Sequence, residues 1–206
     1  MTIQQGMNVD RATWDGLLKS RVENGELPGV TAMVTTSAGD IYEAGYGESK
    51  CGSGRPMTAD SVVMLASMTK PITGLAAMIL VDQGRLSLDT PARDVLPEVD
   101  DLVLLEGWDD NDDPITRAPK KNVTLRHFVT HTSGLSYEFW NADISRYQEH
   151  MGIPGIITQE NAALFTPMIA EPGQKFQYGI SIDWAGRMVE AVSGQKIGCV
   201  HAGKHL

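Results

Sequence analysis

The segment 67–84 constrains the fold of this 206-residue chain more than any other. It begins with Ser67-Met68-Thr69-Lys70. Apolar residues then recur at helical spacing, at Ile72, Leu75, Ala76, Ile79 and Leu80. Pro71 fits a first helical turn, where a backbone N–H has no intrahelical partner, and Gly84 is typical of a residue that ends a helix. The segment therefore predicts a long apolar helix that begins near Ser67.

Ser67 and Lys70 are the first candidates for chemistry. Residues three apart on a helix share one face, and the helix N-terminus favours a developing negative charge. A neutral amine there could take the hydroxyl proton, as in the S-x-x-K arrangement of penicillin-recognising serine enzymes. The pattern recurs at Ser193-Gly194-Gln195-Lys196, but Ser-Gly there predicts a helix end. We therefore expect Ser67 to be the nucleophile.

Further sequence blocks follow in a fixed order around this motif. They are Leu27-Pro28-Gly29-Val30, residues 65–73, residues 82–89, residues 123–135 with His131-Thr132-Ser133-Gly134, and residues 171–178. In this order they resemble the beta-lactamase-related serine hydrolases, which include class C beta-lactamases, DD-peptidases and family VIII carboxylesterases. The resemblance implies an α+β, beta-lactamase/transpeptidase-like fold, with an incomplete antiparallel sheet beside a helical lobe.

The resemblance also implies a shortened domain. Relatives continue with more strands and a third motif (K-T-G, H-G-G or W-G-G), and Lys196-Ile197-Gly198 lies too close to Tyr178 to be that motif. We therefore expect residues 1–206 to be the N-terminal portion of one serine hydrolase domain, truncated at its C-terminal side. The strand that supplies half of the oxyanion hole in relatives would then be absent. The open strand edges of the remaining sheet predict self-association.

Tyr178 is the third catalytic residue that the resemblance implies, beside Ser67 and Lys70. A phenol can relay protons if its pKa is lowered, which a neighbouring ammonium can do. A neutral Lys70 acting as the base is the competing interpretation, and the sequence leaves both open. Ile180 stands where beta-lactamases have Asn, which favours the esterase branch.

The function predicted from these residues and from the resemblance to family VIII esterases is hydrolysis of a short-chain carboxylic ester through an acyl-enzyme on Ser67. The alternatives are beta-lactamase or DD-peptidase activity, or a catalytically inactive fragment that only binds. No cofactor and no metal site are expected: His127 and His131 lack the Glu of a zinc-protease motif and are interpreted as structural. The acidic run from Asp109 to Pro114 lacks the alternating ligands of a calcium loop and is interpreted as a solvated loop.

Charge and composition exclude other classes of function. A net charge of −9 argues against nucleic acid or an anionic membrane as a partner. The family resemblance implies a small ester or beta-lactam as the partner. No apolar run reaches transmembrane length and the first residues do not resemble a signal peptide, so the expected location is the cytoplasm. Cys51 and Cys199 are expected to be free thiols.

Hydrophobic periodicity and turn residues predict the remaining elements. A first helix is expected from Asp10 to Asn24, with Trp14, Leu17, Leu18 and Val22 on its apolar face. A hairpin is expected at Val30–Thr35 and Ile41–Tyr46. Further helices are predicted around Leu125–Thr130, Ile144–His150, Glu160–Ile169 and Ile182–Val192, the last with Ser181 as its N-cap.

Overall fold

The structure is a computed structural model that describes residues 10–201. The chain divides into two compact units, Met1–Met64 and Leu65–Leu206. Its helices are α1 (Arg11–Glu23), α2 (Thr69–Asp82), α3 (Leu125–Val129), α4 (Ala142–Met151), α5 (Ser181–Ser193) and α6 (Ile197–His201). Its strands are β1 (Gly29–Thr36), β2 (Gly39–Gly47), β3 (Leu104–Trp108) and β4 (Pro114–Arg117), in two two-stranded antiparallel sheets. Helices with small antiparallel sheets confirm the predicted α+β class.

The first unit packs α1 against the β1–β2 hairpin. Tyr42 donates a hydrogen bond from its hydroxyl to Asp15 over 2.8 Å. The rings of Trp14 and Tyr42 meet edge to face at 5.0 Å. The helix and the hairpin are confirmed close to the predicted bounds, but Leu17, predicted on the apolar face of α1, is exposed. Tyr42 thus joins the helix to the hairpin through both a hydrogen bond and a ring contact.

The second unit is built around α2, α3 and α5. Trp184 of α5 is fully buried, stacks on Phe128 of α3 at 6.2 Å, and donates its indole N–H to the carbonyl of Leu164. Only one side of α2 joins this core: Ala76, Ala77 and Leu80 are buried. Ile72 and Leu75, on the apolar helix that the sequence predicts, are exposed.

The acidic run from Asp109 to Asp113 forms the turn of the β3–β4 hairpin, which the sequence did not predict. One carboxylate oxygen of Asp109 accepts hydrogen bonds from the backbone N–H groups of Asn111 and Asp113, at 2.8 and 2.9 Å. The strand pattern was hidden because the register shifts between Leu105 and Gly107, which breaks the two-residue alternation of side chains.

Two predictions about helices are wrong. The segment Glu160–Ile169 contains only a 3₁₀ turn at Asn161–Leu164. Pro167 follows, and a proline disfavours the helical conformation in the residue before it. Ser181 is the first residue of α5 and not its cap, because its buried hydroxyl lies 2.7 Å from the hydroxyl of Ser133. Within residues 10–201, no helix combines the length and the apolar character that crossing a membrane requires.

Candidate active site

Ser67 lies in a 3₁₀ turn, Ala66–Met68, that leads directly into α2. Lys70 Nζ donates a hydrogen bond to Ser67 Oγ over 2.9 Å, so the predicted pairing across one helical turn is present. Ala66 has a φ of 47°, in the left-handed region that residues with a side chain seldom adopt. This conformation places an exposed hydroxyl at the start of the helix.

Tyr178 reaches the same place from the segment before α5. Its ring centroid lies 5.1 Å from Lys70 Nζ, and its hydroxyl interacts with the hydroxyl of Ser67. The preceding residue, Gln177, donates its backbone N–H to the carbonyl of His131 over 2.7 Å. The structure therefore brings together all three residues that were predicted as catalytic.

A close backbone contact fixes the position of Tyr178. Gly179 packs so tightly on Ser136 that a Cβ at Gly179 would lie 2.4 Å from Ser136 Cα. The Ser136 hydroxyl also accepts a hydrogen bond from the Gln177 side chain over 3.0 Å. The residues on both sides of Tyr178 are thus attached to the segment that follows the His131 block.

Tyr137 is a second phenol at Lys70 that the sequence analysis missed. The side chain is buried, and its ring centroid lies 5.5 Å from Lys70 Nζ. Burial raises the pKa of Tyr137, and hydrogen bonding to Lys70 opposes that rise. Tyr137 follows two residues after the sequence block that ends at Leu135. Nothing in the local sequence pattern, however, separates it from an ordinary core tyrosine.

The two phenols affect the pKa of Lys70. Burial lowers the pKa of Lys70, but hydrogen bonding to Tyr137 and Tyr178 outweighs burial, so that its pKa is raised. Hydrogen bonding to Ser67 lowers the pKa of Tyr178; burial opposes this, and Lys70 lowers the pKa further. At neutral pH Lys70 is therefore an ammonium beside an unusually acidic phenol. This electrostatic pattern favours Tyr178 over Lys70 as the base.

Asp183, in the first turn of α5, adds a negative charge that the sequence analysis did not use. It is exposed to a cleft that Lys70 also lines. Because the surrounding protein still desolvates the carboxyl group, burial raises the pKa of Asp183, and Lys70 partly offsets the rise. The charge of Asp183 in turn raises the pKa of Tyr178.

His131 supports Tyr178 by packing. Its ring centroid lies 4.7 Å from that of Tyr178, and its φ of 53° is left-handed. Its buried Nδ1 has no hydrogen-bond partner among residues 10–201, so the predicted structural role is carried by the ring and the backbone. Burial and Lys70 lower the pKa of His131, which keeps the ring neutral.

His127, the other histidine considered, is used at the start of α3. Its Nδ1 accepts a hydrogen bond from the Thr124 backbone N–H over 3.1 Å, while the Thr124 hydroxyl accepts one from the His127 N–H. Among the described residues there is no cluster of three His, Cys, Asp or Glu side chains that could hold a metal ion. Both cysteines are free and exposed, as predicted.

Two cavities meet at Lys70. One, of about 370 Å³, is lined by Ser67, Tyr178 and His131. The other, of about 430 Å³, is lined by Asp183 and Thr69 among others. The smaller of these two cavities is lined by Ser67, the predicted nucleophile, and is therefore where a carbonyl group could approach Ser67 Oγ.

The second S-x-x-K match forms no such site. Gly194 is left-handed, with a φ of 73°, and caps α5. The Ser193 hydroxyl accepts a hydrogen bond from the backbone N–H of Gln195 over 3.2 Å. Ser193 therefore lies at the C-terminal end of α5 and stabilises the turn that follows, as its sequence context predicted.

Known proteins share this arrangement of sequence and fold. Residues 14–198 match the family described as Beta-lactamase. The chain is 34% identical over 190 residues to lovastatin esterase of Penicillium rubens, covering 87% of this chain and 46% of that protein. It is 32% identical over 194 residues to esterase EstB of Burkholderia gladioli, covering 90% and 45%.

The fold agrees with that of a solved relative. The unliganded simvastatin synthase LovD of Aspergillus terreus superposes with a TM-score of 0.82 at 27% identity, covering 92% of this chain and 50% of that one. This chain thus spans about half the length of the relatives it matches, and its α+β fold is of the beta-lactamase/transpeptidase-like type. From the family match and these likenesses together, the chain belongs to the beta-lactamase family.

Proposed function

We propose that the chain carries the nucleophile and the proton-transfer groups of a serine hydrolase that cleaves short-chain carboxylic esters. The observation that carries the proposal is the 2.9 Å hydrogen bond from Lys70 Nζ to Ser67 Oγ, with the phenol of Tyr178 beside both groups. Two of the relatives above are named esterases, which supports an ester as the substrate.

In the proposed reaction Ser67 Oγ attacks the ester carbonyl. Tyr178 accepts the hydroxyl proton, because its lowered pKa makes the phenolate accessible, and the Lys70 ammonium stabilises that phenolate. Tyr178 then returns the proton to the leaving alkoxide oxygen, which leaves an acyl group on Ser67. Water completes the cycle by the same route, with Tyr178 as base and Ser67 as leaving group.

Stabilisation of the tetrahedral intermediate requires donors that face its oxyanion. We assign the backbone N–H of Ser67 as one donor, because it lies at the turn that opens α2. A second donor from a strand, as the family resemblance implies, would complete the hole. Loss of one such donor typically lowers kcat by about 10²–10³.

Ile180 bears on the choice between esters and beta-lactams as substrates. Its side chain is 1% exposed and belongs to the core that also includes Trp184. Two residues after Tyr178, there is therefore no amide to hydrogen-bond the side chain of a beta-lactam. This supports ester hydrolysis over the beta-lactamase and DD-peptidase alternatives.

Labelling with a fluorophosphonate probe tests the proposal. We expect the parent chain to be labelled at one serine, Ser67→Ala to lose the label, and Ser193→Ala to keep it. Hydrolysis of p-nitrophenyl butyrate should follow the same order. Label that survives Ser67→Ala would refute the nucleophile, and a parent chain that neither labels nor hydrolyses would support the alternative of a fragment that only binds.

A further inference from the structure

Five aromatic side chains form one group of rings beside the proposed nucleophile, and the His131 ring connects Phe176 to the others. This group, here called the aromatic surface, consists of Tyr137, which is buried, and of Phe139, Trp140, Phe176 and Tyr178. Three of its members face water to an unusual degree: Phe139 is 58% exposed, Trp140 66% and Phe176 66%. Contiguous exposed apolar groups commonly mark a binding site, whereas isolated ones need no explanation.

Ring contacts connect the exposed rings to the reacting groups. Phe139 stacks on Tyr137 at 4.8 Å, and Trp140 lies 6.2 Å from the Tyr178 ring. On the other side, Phe176 meets His131 at 6.0 Å, and His131 packs on Tyr178. Since the Tyr178 hydroxyl interacts with Ser67, a ligand bonded to Ser67 would extend over these rings.

The local charges favour an uncharged ligand. The Lys70 ammonium is directed to Ser67 and the two phenols, and the lowered pKa of His131 leaves it neutral, with burial as the main cause. Glu138, between Tyr137 and Phe139, accepts a hydrogen bond from the Ile156 backbone N–H over 2.9 Å. Lys70 and Glu138 thus already have partners within the protein, and the negative charge of Asp183 in the adjacent cavity disfavours a negatively charged ligand.

We propose that the aromatic surface binds an aromatic ring of the ester, with Trp140 as the main contact; this inference rests on the proposed function. The rings present both faces and edges, since Tyr137 and Phe139 are inclined by 23° and Trp140 and Tyr178 by 65°. An aromatic ring of the ligand can stack on an exposed ring face and can meet an exposed ring edge in an edge-to-face contact, whereas an alkyl chain can make neither contact. The substrate class is an ester with a ring in its acyl or its alcohol part.

Three esters of similar reactivity test where the ring lies. Ethyl acetate has no ring, ethyl phenylacetate has one in its acyl part, and benzyl acetate has one in its alcohol part. We expect Trp140→Ala to lower kcat/KM for a ring-bearing ester about twofold to tenfold relative to ethyl acetate. The ester that loses more identifies the acyl or the alcohol part as the ring's position. Trp140→Phe should restore most of the preference. Ile157→Ala, which truncates an exposed apolar side chain outside the aromatic surface, should change nothing.

A binding measurement keeps the inference separate from catalysis. Binding of 2-naphthol is followed by saturation-transfer NMR in the Ser67→Ala background, where no acyl-enzyme can form. We expect Trp140→Ala to raise the Kd about twofold to tenfold and Ile157→Ala to leave it unchanged.

The two measurements distinguish the two possible failures. If naphthol binding depends on Trp140 but no ester is hydrolysed by the parent chain, the ring site stands and the proposed function fails. If esters are hydrolysed through Ser67 but neither ring preference nor naphthol binding responds to Trp140→Ala or Phe139→Ala, the ring site is refuted.

Discussion

Lys70 is the residue on which the proposed chemistry depends most. It lies between the Ser67 hydroxyl and the phenols of Tyr137 and Tyr178, so one ammonium serves three oxygen atoms. Such an ammonium favours the anionic form of a phenol and is a poor base itself. The sequence left open the choice between a neutral lysine and a tyrosine as the base, and one of the two phenols that raise the pKa of Lys70, Tyr137, was indicated by no motif.

Asp183 provides a prediction about pH at the residue scale. Because its charge raises the pKa of Tyr178, Asp183→Asn should lower that pKa. A base with a lower pKa is deprotonated at lower pH, so the acidic limb of the kcat/KM profile should move to lower pH, while Asp183→Glu should leave it near the parent position. Asp101→Asn makes the same charge change at an exposed position. An acidic limb that is identical in Asp183→Asn and Asp101→Asn would contradict the role of Tyr178 as base.

At the scale of elements, the local sequence pattern was sufficient to predict helices and strands whose apolar residues recur with a clear period. The start of α2 and the β1–β2 hairpin were predicted because turn residues bound a clear repeat. The β3–β4 hairpin was missed because a register shift interrupts the alternation, and the helix at Glu160–Ile169 was overpredicted because Pro167 ends it. Tyr137 and Asp183 join the site only through packing between elements, which no single segment encodes.

The contact between the Tyr178 segment and the Ser136 segment gives a prediction at this scale. Gly179→Ala would place a Cβ 2.4 Å from Ser136 Cα, so the two backbones must separate. We expect a loss of about 1–3 kcal/mol in the free energy of unfolding, together with reduced turnover because Tyr178 moves. Gly74→Ala in α2 is the matched control for stability, since a Cβ there would meet nothing within 4 Å beyond its chain neighbours and the helix's own backbone, and alanine favours a helix. Chemical denaturation of the two variants measures their stability. A Gly179→Ala variant as stable as the parent would refute the contact.

For the whole molecule, the most consequential surface is the outer side of α2 and the turn before it. Met68 and Leu75 are 70% and 60% exposed, and Ile72 and Met78 continue the same apolar strip. Large contiguous apolar strips are uncommon on monomers in solution. The sequence predicted the apolar character of this helix but could not show that only Ala76, Ala77 and Leu80 would be covered.

We predict that the chain self-associates through this strip. Burial of an exposed leucine side chain contributes about 1.5–3 kcal/mol, so Leu75→Lys should shift light-scattering mass toward the monomer. Ile157→Lys, which changes an isolated exposed side chain in another part of the chain, should not. A parent chain that is monomeric at high micromolar concentration would contradict the prediction.

The Ser67–Lys70 pair joins neighbours within one turn of chain, whereas Tyr178 is held by contacts that span distant segments. Local openings require less free energy than global unfolding, so we expect mild heat or denaturant to detach the Tyr178 segment before the chain unfolds as a whole. Ser67 would then keep its hydrogen bond to Lys70 after Tyr178 had left the site. Inactivation would then precede any loss of helical circular dichroism, and cooling would restore activity as soon as the distant segment docked again.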